Sequence, residues 1–218
     1  MEVDHILICS PNRADIADAL VNAGFAEGSG NSHPGQGTAN RRFFFNNAYL
    51  EFLYLEENLE LTPADRDKLD IRRRFNRADH GRSPFGVGFR PSELNESTPF
   101  PHWVYKPSYL PDGYSINVGD ASTNEPLWFF LDFVCRPDRL PSTKQQPLNH
   151  PCGVATLTSV RLSVSKGTAL SPATQRIIES GTVAVNFDTR HSLEMTFDHR
   201  RQNKRLSLLP DASVTIYY

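Results

Sequence analysis

Apolar and polar side chains alternate along most of this chain, and the alternation falls into three successive units. Residues 2–9, Glu-Val-Asp-His-Ile-Leu-Ile-Cys, read as a strand. Ser10-Pro11 supplies an N-cap and a proline at the first helical position, and Ile16, Ala19, Leu20 and Ala23 recur at helical spacing until Gly24 stops the helix. Phe25 opens a short strand, a Gly/Ser/Asn-rich loop fills 28–37, and strands at 39–46 and 48–55 meet around Asn46-Asn47. The order is β-α-β-β-β.

Residues 57–83 read as a helical connector started by Thr62-Pro63, with Ile71, Phe75 and Ala78 on one side and Arg72, Arg73 and Arg74 solvated. The alternation resumes at 84–90 and continues in strands near 102–106, 114–119 and 127–134, a second strand-rich unit whose helix is lost. After a Pro-rich linker at 136–152, the first pattern returns over 153–218. It comprises a strand at 155–164, a helix begun by Ser171-Pro172, and strands near 182–187, 191–198, 203–208 and 213–217, the last two being one split strand or two. The organisation is thus a paired-module domain over 1–135 (modules 1–56 and 84–135), a linker, and a carboxy-terminal βαβββ-like module.

Side chains two apart share a strand face, so His5 lies beside Leu7 and Cys9, Glu51 beside Tyr49 and Leu53, and Asp132 beside Trp128 and Phe130. An unpaired carboxylate buried there costs several kcal/mol, so a cation, a donor or a shifted pKa must compensate. Glu194 fails the same test, because its face carries Ser192, Thr196 and Asp198.

Composition narrows the field. A chain of 218 residues, 39% hydrophobic, can bury a sizeable core, and 23 Lys plus Arg against 25 Asp plus Glu leave no basic excess for nucleic acid or an anionic membrane. No window approaches the roughly 20 apolar residues of a membrane span. Cys9, Cys135 and Cys152 are odd in number and form no CxxC pair, which suits a reducing cytoplasm. The expected partner is a small molecule, and a homodimer is compatible with the pattern.

Asp4-His5-Ile6 opening a β-α-β-β-β unit, the loop His33-Pro34-Gly35-Gln36-Gly37-Thr38-Ala39-Asn40, and Tyr49-Leu50-Glu51-Phe52 on the last strand together resemble the vicinal oxygen chelate superfamily, and within it the glyoxalase-like domain group. The likeness spans about residues 1–135. It implies an α+β fold in which paired βαβββ modules curl into a cup around a divalent metal, with ligands from the first and last strands of each module. Those places fall at His5, Glu51 and Asp132, and the fourth near Gly86, which has no side chain to coordinate with. One imidazole and two carboxylates suit Fe, Mn, Ni or Zn. The implied protein is a metal-dependent enzyme of lyase, isomerase or dioxygenase type acting on a small oxygen-bearing metabolite. Its rival is a non-catalytic small-molecule binder using the same cup.

Other residues carry weaker signals. The loop from His33 is either a glycine-punctuated turn alone or a substrate grip, with Gln36, Thr38 and Asn40 as neutral contacts and His33 as the acid or base. Arg90 either holds a substrate carboxylate over Gly86 and Gly88, pairs with Asp132, or ends a strand in solvent. Trp128 either stacks on a substrate ring or belongs to the core. His150 and Cys152 sit close together in a linker, an arrangement that does not by itself define a nucleophile and its base.

Overall fold

Two sheets carry most of the chain in the computed structural model, which describes residues 1–10, 15–56, 69–76, 81–209 and 213–218. The first unit comprises β1 (Glu2–Cys9), α1 (Asp15–Asn22), β2 (Asn31–His33), β3 (Thr38–Phe44) and β4 (Tyr49–Leu55). Strand β4 folds back antiparallel on β3 and lies parallel to β1. On its other side β1 pairs antiparallel with β5 (Phe85–Arg90), which leads into β6 (His102–Tyr105), β7 (Ile116–Gly119) and β8 (Leu127–Phe130). The result is one eight-stranded sheet in the order β2-β3-β4-β1-β5-β8-β7-β6. This is the expected α+β cup.

Both faces of that sheet are apolar. Ile6, Leu50, Phe52, Val87, Trp128 and Phe130 point to the back, where Ile16 and Leu20 of α1 join them. Leu7, Cys9, Leu53, Val118 and Phe129 point to the front and meet Ile71 and Phe75 from a short 3-10 helix, Ile71–Phe75. Arg74 of that helix is not solvated: it donates to the carbonyls of Ser83 and Glu125, and burial pushes its guanidinium down to about 10. Phe25 begins no strand and instead packs edge-on against Phe45. The start signals at Pro11 and Thr62-Pro63, and Ala78, lie outside the described residues.

The carboxy-terminal unit contains β9 (Leu157–Ser165), α2 (Pro172–Glu179), β10 (Ala184–Asp188), β11 (Ser192–Phe197), β12 (Arg205–Leu209) and β13 (Ser213–Tyr217), in the order β10-β9-β11-β13-β12. Its element order follows the first unit but its pairing does not. The parallel partner of β1 is the last strand of its unit, whereas that of β9 is β10, the strand directly after the helix. The final stretch is two strands, paired as an antiparallel hairpin. Glu194 lies on the wet face as expected, 3.3 Å from Arg161.

Helix α2 covers the back of the second unit. Ser171 caps it by accepting the Thr174 N–H, with Pro172 in the first turn. The Trp128 indole N–H donates to the Thr174 hydroxyl at 2.8 Å, and the fully buried Glu125 carboxylate accepts from the Ser171 amide and from both hydroxyls. Asn47 ties the first unit to β9 by accepting from the Leu157 N–H and donating to the Leu157 carbonyl. One apolar core therefore runs from Ile6 and Phe52 through Trp128 to Leu162, Met195 and Ile216. His150 in the linker accepts from the Ala26 N–H and donates to the Phe44 carbonyl, so both ring nitrogens are used in holding the chain down. Burial pushes the Cys152 thiol up, away from the reactive thiolate.

Candidate active site on the front of the sheet

The front of the sheet encloses a cavity of about 210 Å³. Leu7, Leu53, Ile71, Ile116, Phe129 and Leu131 form an apolar wall. His5, His33, Gln36, Asn40, Arg42 and Glu51 form a polar end.

Register explains how His5 comes to its place. It sits beside Tyr49 in the β1–β4 pair, its ring stacked on the tyrosine at 4.8 Å and 20°. Across the β1–β5 pair it faces Gly88, two residues beyond the Gly86 position expected, and a Cβ there would lie 2.1 Å from the imidazole Cε1. The ring occupies the space a side chain would fill. The β1–β5 register slips between Val3 and His5, leaving Asp4 as the extra residue of a bulge. That irregularity brings the buried Asp4 carboxylate to 2.9 Å from His5 Nδ1, which donates to it.

Glu51 is buried between two imidazoles. Its Oε2 stands 3.7 Å from His5 Nε2 and its Oε1 3.9 Å from His33 Nε2, while Asn40 Nδ2 donates to Oε1 at 2.5 Å. Asn40 is held in turn by the Asn31 N–H, which donates to its Oδ1.

The loop after β2 fixes the tautomer of His33. Gly35 and Gly37 take φ of 87° and 71°, left-handed values that favour glycine, and the Gln36 and Gly37 N–H groups close the turn on the His33 carbonyl. The Thr38 hydroxyl donates to Gln36 Oε1 at 2.7 Å. Its proton spent, the Thr38 oxygen accepts from His33 Nδ1 at 3.0 Å. His33 therefore carries its proton on Nδ1, and the Nε2 lone pair is on the Glu51 side. Tyr109, from the β6–β7 connection, packs on the His33 ring at 4.8 Å, and Ser108 donates to the Pro34 carbonyl.

The two imidazoles are driven apart in acidity. Burial alone would lower His5, but the Asp4 hydrogen bond and the charges of Asp4 and Glu51 outweigh it and hold the ring above its ordinary 6.5. Burial dominates at His33 and, helped by the Arg42 charge and His5, keeps it below 6.5 despite Glu51. Burial and the same two carboxylates push the Tyr49 hydroxyl well up.

Of the residues expected at a site, His5, His33, Gln36, Thr38, Asn40 and Glu51 converge here. Three do not. Asp132 is exposed in a turn, because β8 ends at Phe130 and the chain bends away after Leu131 bonds to the Phe89 carbonyl. Trp128 is fully buried on the back, against Phe89 and Thr174. Arg90 is neither solvated nor paired with Asp132 and does not line the cavity. Buried behind His5, it binds Asp4 Oδ1 at 3.2 Å, Glu2 Oε2 at 2.9 Å and the Asn47 carbonyl at 2.8 Å.

The expected metal set of His5, Glu51 and Asp132 therefore does not assemble. Where the second unit would present donors it presents Gly88 and Phe129, and among the described residues no group of three or more His, Cys, Asp and Glu is arranged to hold a metal ion. Two site residues were missed. Arg42 shares the parity of Asn40 on β3 and could have been read from it, whereas Asp4 reaches the site only through a bulge that alternation does not reveal.

Residues 3–98 match the family model described as a glyoxalase-like domain, so that stretch is similar to the glyoxalase-like domains of the vicinal oxygen chelate superfamily. Across its whole length it shares a fold with a hypothetical protein from Staphylococcus aureus known from a crystal structure. The two are 11% identical, with 99% of this chain and 98% of that one covered and a TM-score of 0.54. No curated protein matches it.

Proposed function

We propose that the cup binds a small, largely apolar carbonyl compound and moves a proton on the carbon next to its carbonyl, an isomerase- or lyase-type reaction. The observation that carries this reading is the His33 tautomer, held by Thr38 and Gln36, with an unprotonated Nε2 beside Glu51. His33 Nε2 takes the proton from the α-carbon, and the electrons of that C–H bond move into the carbonyl to give an enolate. The enolate oxygen accepts from His5 Nε2–H and from the amide nitrogen of Gln36, which donates to no group among the described residues. His33 then returns its proton to a different atom of the product, so the reaction is balanced without a co-reactant. The Glu51 charge favours the protonated state of both imidazoles and thus the step itself. Because the donor set for a divalent metal is incomplete, no step is assigned to one.

Deuterium wash-in at the α-carbon of a simple ketone, followed by proton NMR, tests the reading. Wild-type protein should catalyse it, His33→Gln and Glu51→Gln should reduce it at least about a hundredfold, the usual lower range for a general base, and Glu194→Gln should leave it intact. Binding without any wash-in would instead favour the non-catalytic binder, for which the apolar wall of Leu53, Ile71 and Phe129 is sufficient. Stoichiometric metal lost on His5→Ala would restore the metal-dependent enzyme.

The pH profile should be a bell centred near neutrality. Its acid limb rises as His33 loses its proton, below the ordinary 6.5, and its alkaline limb falls as His5 loses its own, above 6.5. His33→Gln should remove the acid limb from the residual rate. A profile rising monotonically from pH 5 to 9 would be incompatible with a protonated His5.

A further inference from the structure

Arg42 lines the polar end of the cup without an acidic partner among the described residues. Its Nε and Nη2 donate to the carbonyl and hydroxyl oxygens of Ser29, at 2.8 and 3.2 Å, and the guanidinium lies 5.1 Å over the Phe44 ring and 5.8 Å over that of Tyr49. All of those partners are neutral. Register sets Arg42 directly opposite Glu51 on β3 and β4, yet the two form no ion pair. Glu51 is turned instead to Asn40 and the two imidazoles. Arg41, the next residue along, binds both Asp18 and Glu27, so the contrast is not one of available acids on this strand.

A half-buried guanidinium steadied by rings and neutral oxygens keeps its charge available for an anion entering the cup. We propose that Arg42 takes the carboxylate of the substrate, which makes that substrate a small 2-oxo acid with an apolar body. This rests on the acid–base reading of the cup. Directly opposed side chains on an antiparallel pair start only about 5 Å apart at Cβ, so a carboxylate on Arg42 leaves the neighbouring carbonyl beside Glu51 and the imidazoles. The rest of the molecule then lies along Leu7, Leu53, Ile71 and Phe129. A cavity of about 210 Å³ lined by these side chains has room for a compact acid.

Calorimetric titration with phenylpyruvate and with benzyl methyl ketone, which replaces the carboxylate by a methyl group, tests the assignment. Wild-type protein should prefer the acid by about tenfold or more, the worth of one charge-assisted contact. Arg42→Gln should abolish that preference while keeping the affinity for the ketone, and Arg42→Lys should restore part of it, since an ammonium keeps the charge but loses the fork. If Arg42→Gln does not fold, the lysine variant reads the same quantity as a several-fold loss of the preference. Equal binding of the two compounds by wild type, or an unchanged preference in either variant, would overturn the carboxylate site and leave the acid–base reading standing, because the ketone still binds. If neither compound shifts the His33 ring resonances in NMR, the reading of the cup fails and this inference with it.

Discussion

Replacing Gly88 by alanine should cost about 1–3 kcal/mol, the usual penalty for an overpacked interior, and disable the cup at the same time. The added methyl would sit 2.1 Å from Cε1 and 2.4 Å from Nδ1 of His5. That ring has nowhere to go: Asp4 holds one nitrogen, Tyr49 stacks on one side, and the Phe129 ring lies roughly parallel at 6.3 Å. Relief requires either a rotated imidazole, which breaks the Asp4 bond, or a shifted β5. Urea unfolding would measure the stability, and the His5 ring resonances would report the displacement. Gly86→Ala is the comparison, since its methyl would meet Leu127 at 3.1 Å and leave His5 alone. If Gly88→Ala kept both wild-type stability and an unmoved His5 signal, the assignment of that ring to the cup would be wrong.

Trp128→Ala should destabilise the protein by about 3–5 kcal/mol, the range for a large aromatic removed from a core. The indole is fully buried and its N–H anchors Thr174 at the start of α2, so truncation opens a cavity and loosens the helix together. Trp128→Phe keeps most of the volume and should cost far less, mainly the lost hydrogen bond at about 1 kcal/mol. Neither change should alter ketone binding at temperatures where the variant is folded, because Trp128 lies on the back of the sheet. A Trp128→Phe protein with normal stability and no ketone affinity would return the residue to the site.

Much of the front of the sheet was legible because the first unit alternates cleanly. The parities of His5 with Leu7 and of Glu51 with Leu53 hold, and the glycines around Gln36 mark the loop that delivers His33. Parity failed at Asp132 for a different reason. Both faces of β8 are apolar, so sharing a face with Trp128 and Phe130 identifies a row without telling front from back, and the row proves to be the back. The strand also ends at Phe130, where alternation would have carried it to 134. Arg90 was misplaced because its partners are set by tertiary structure: Asp4 reaches it through a bulge, and Asn47 through a turn that no periodicity encodes. The covering of the second unit by α2 is likewise a long-range event, carried by Glu125 and Trp128 meeting residues more than forty positions away.

That covering bears on how the chain gains its structure. The back of β8 has no helix of its own among the described residues, and the Trp128 indole it presents there is met by Thr174 of α2, which is synthesised after the whole eight-stranded sheet. A nascent chain that has finished only the cup leaves Trp128 without its acceptor and the Glu125 carboxylate with Ser122 as a donor but without Ser171 and Thr174. The cup is thus completed from behind by a unit that leaves the ribosome after it, and the apolar core that both sheets share couples the folding of one to that of the other.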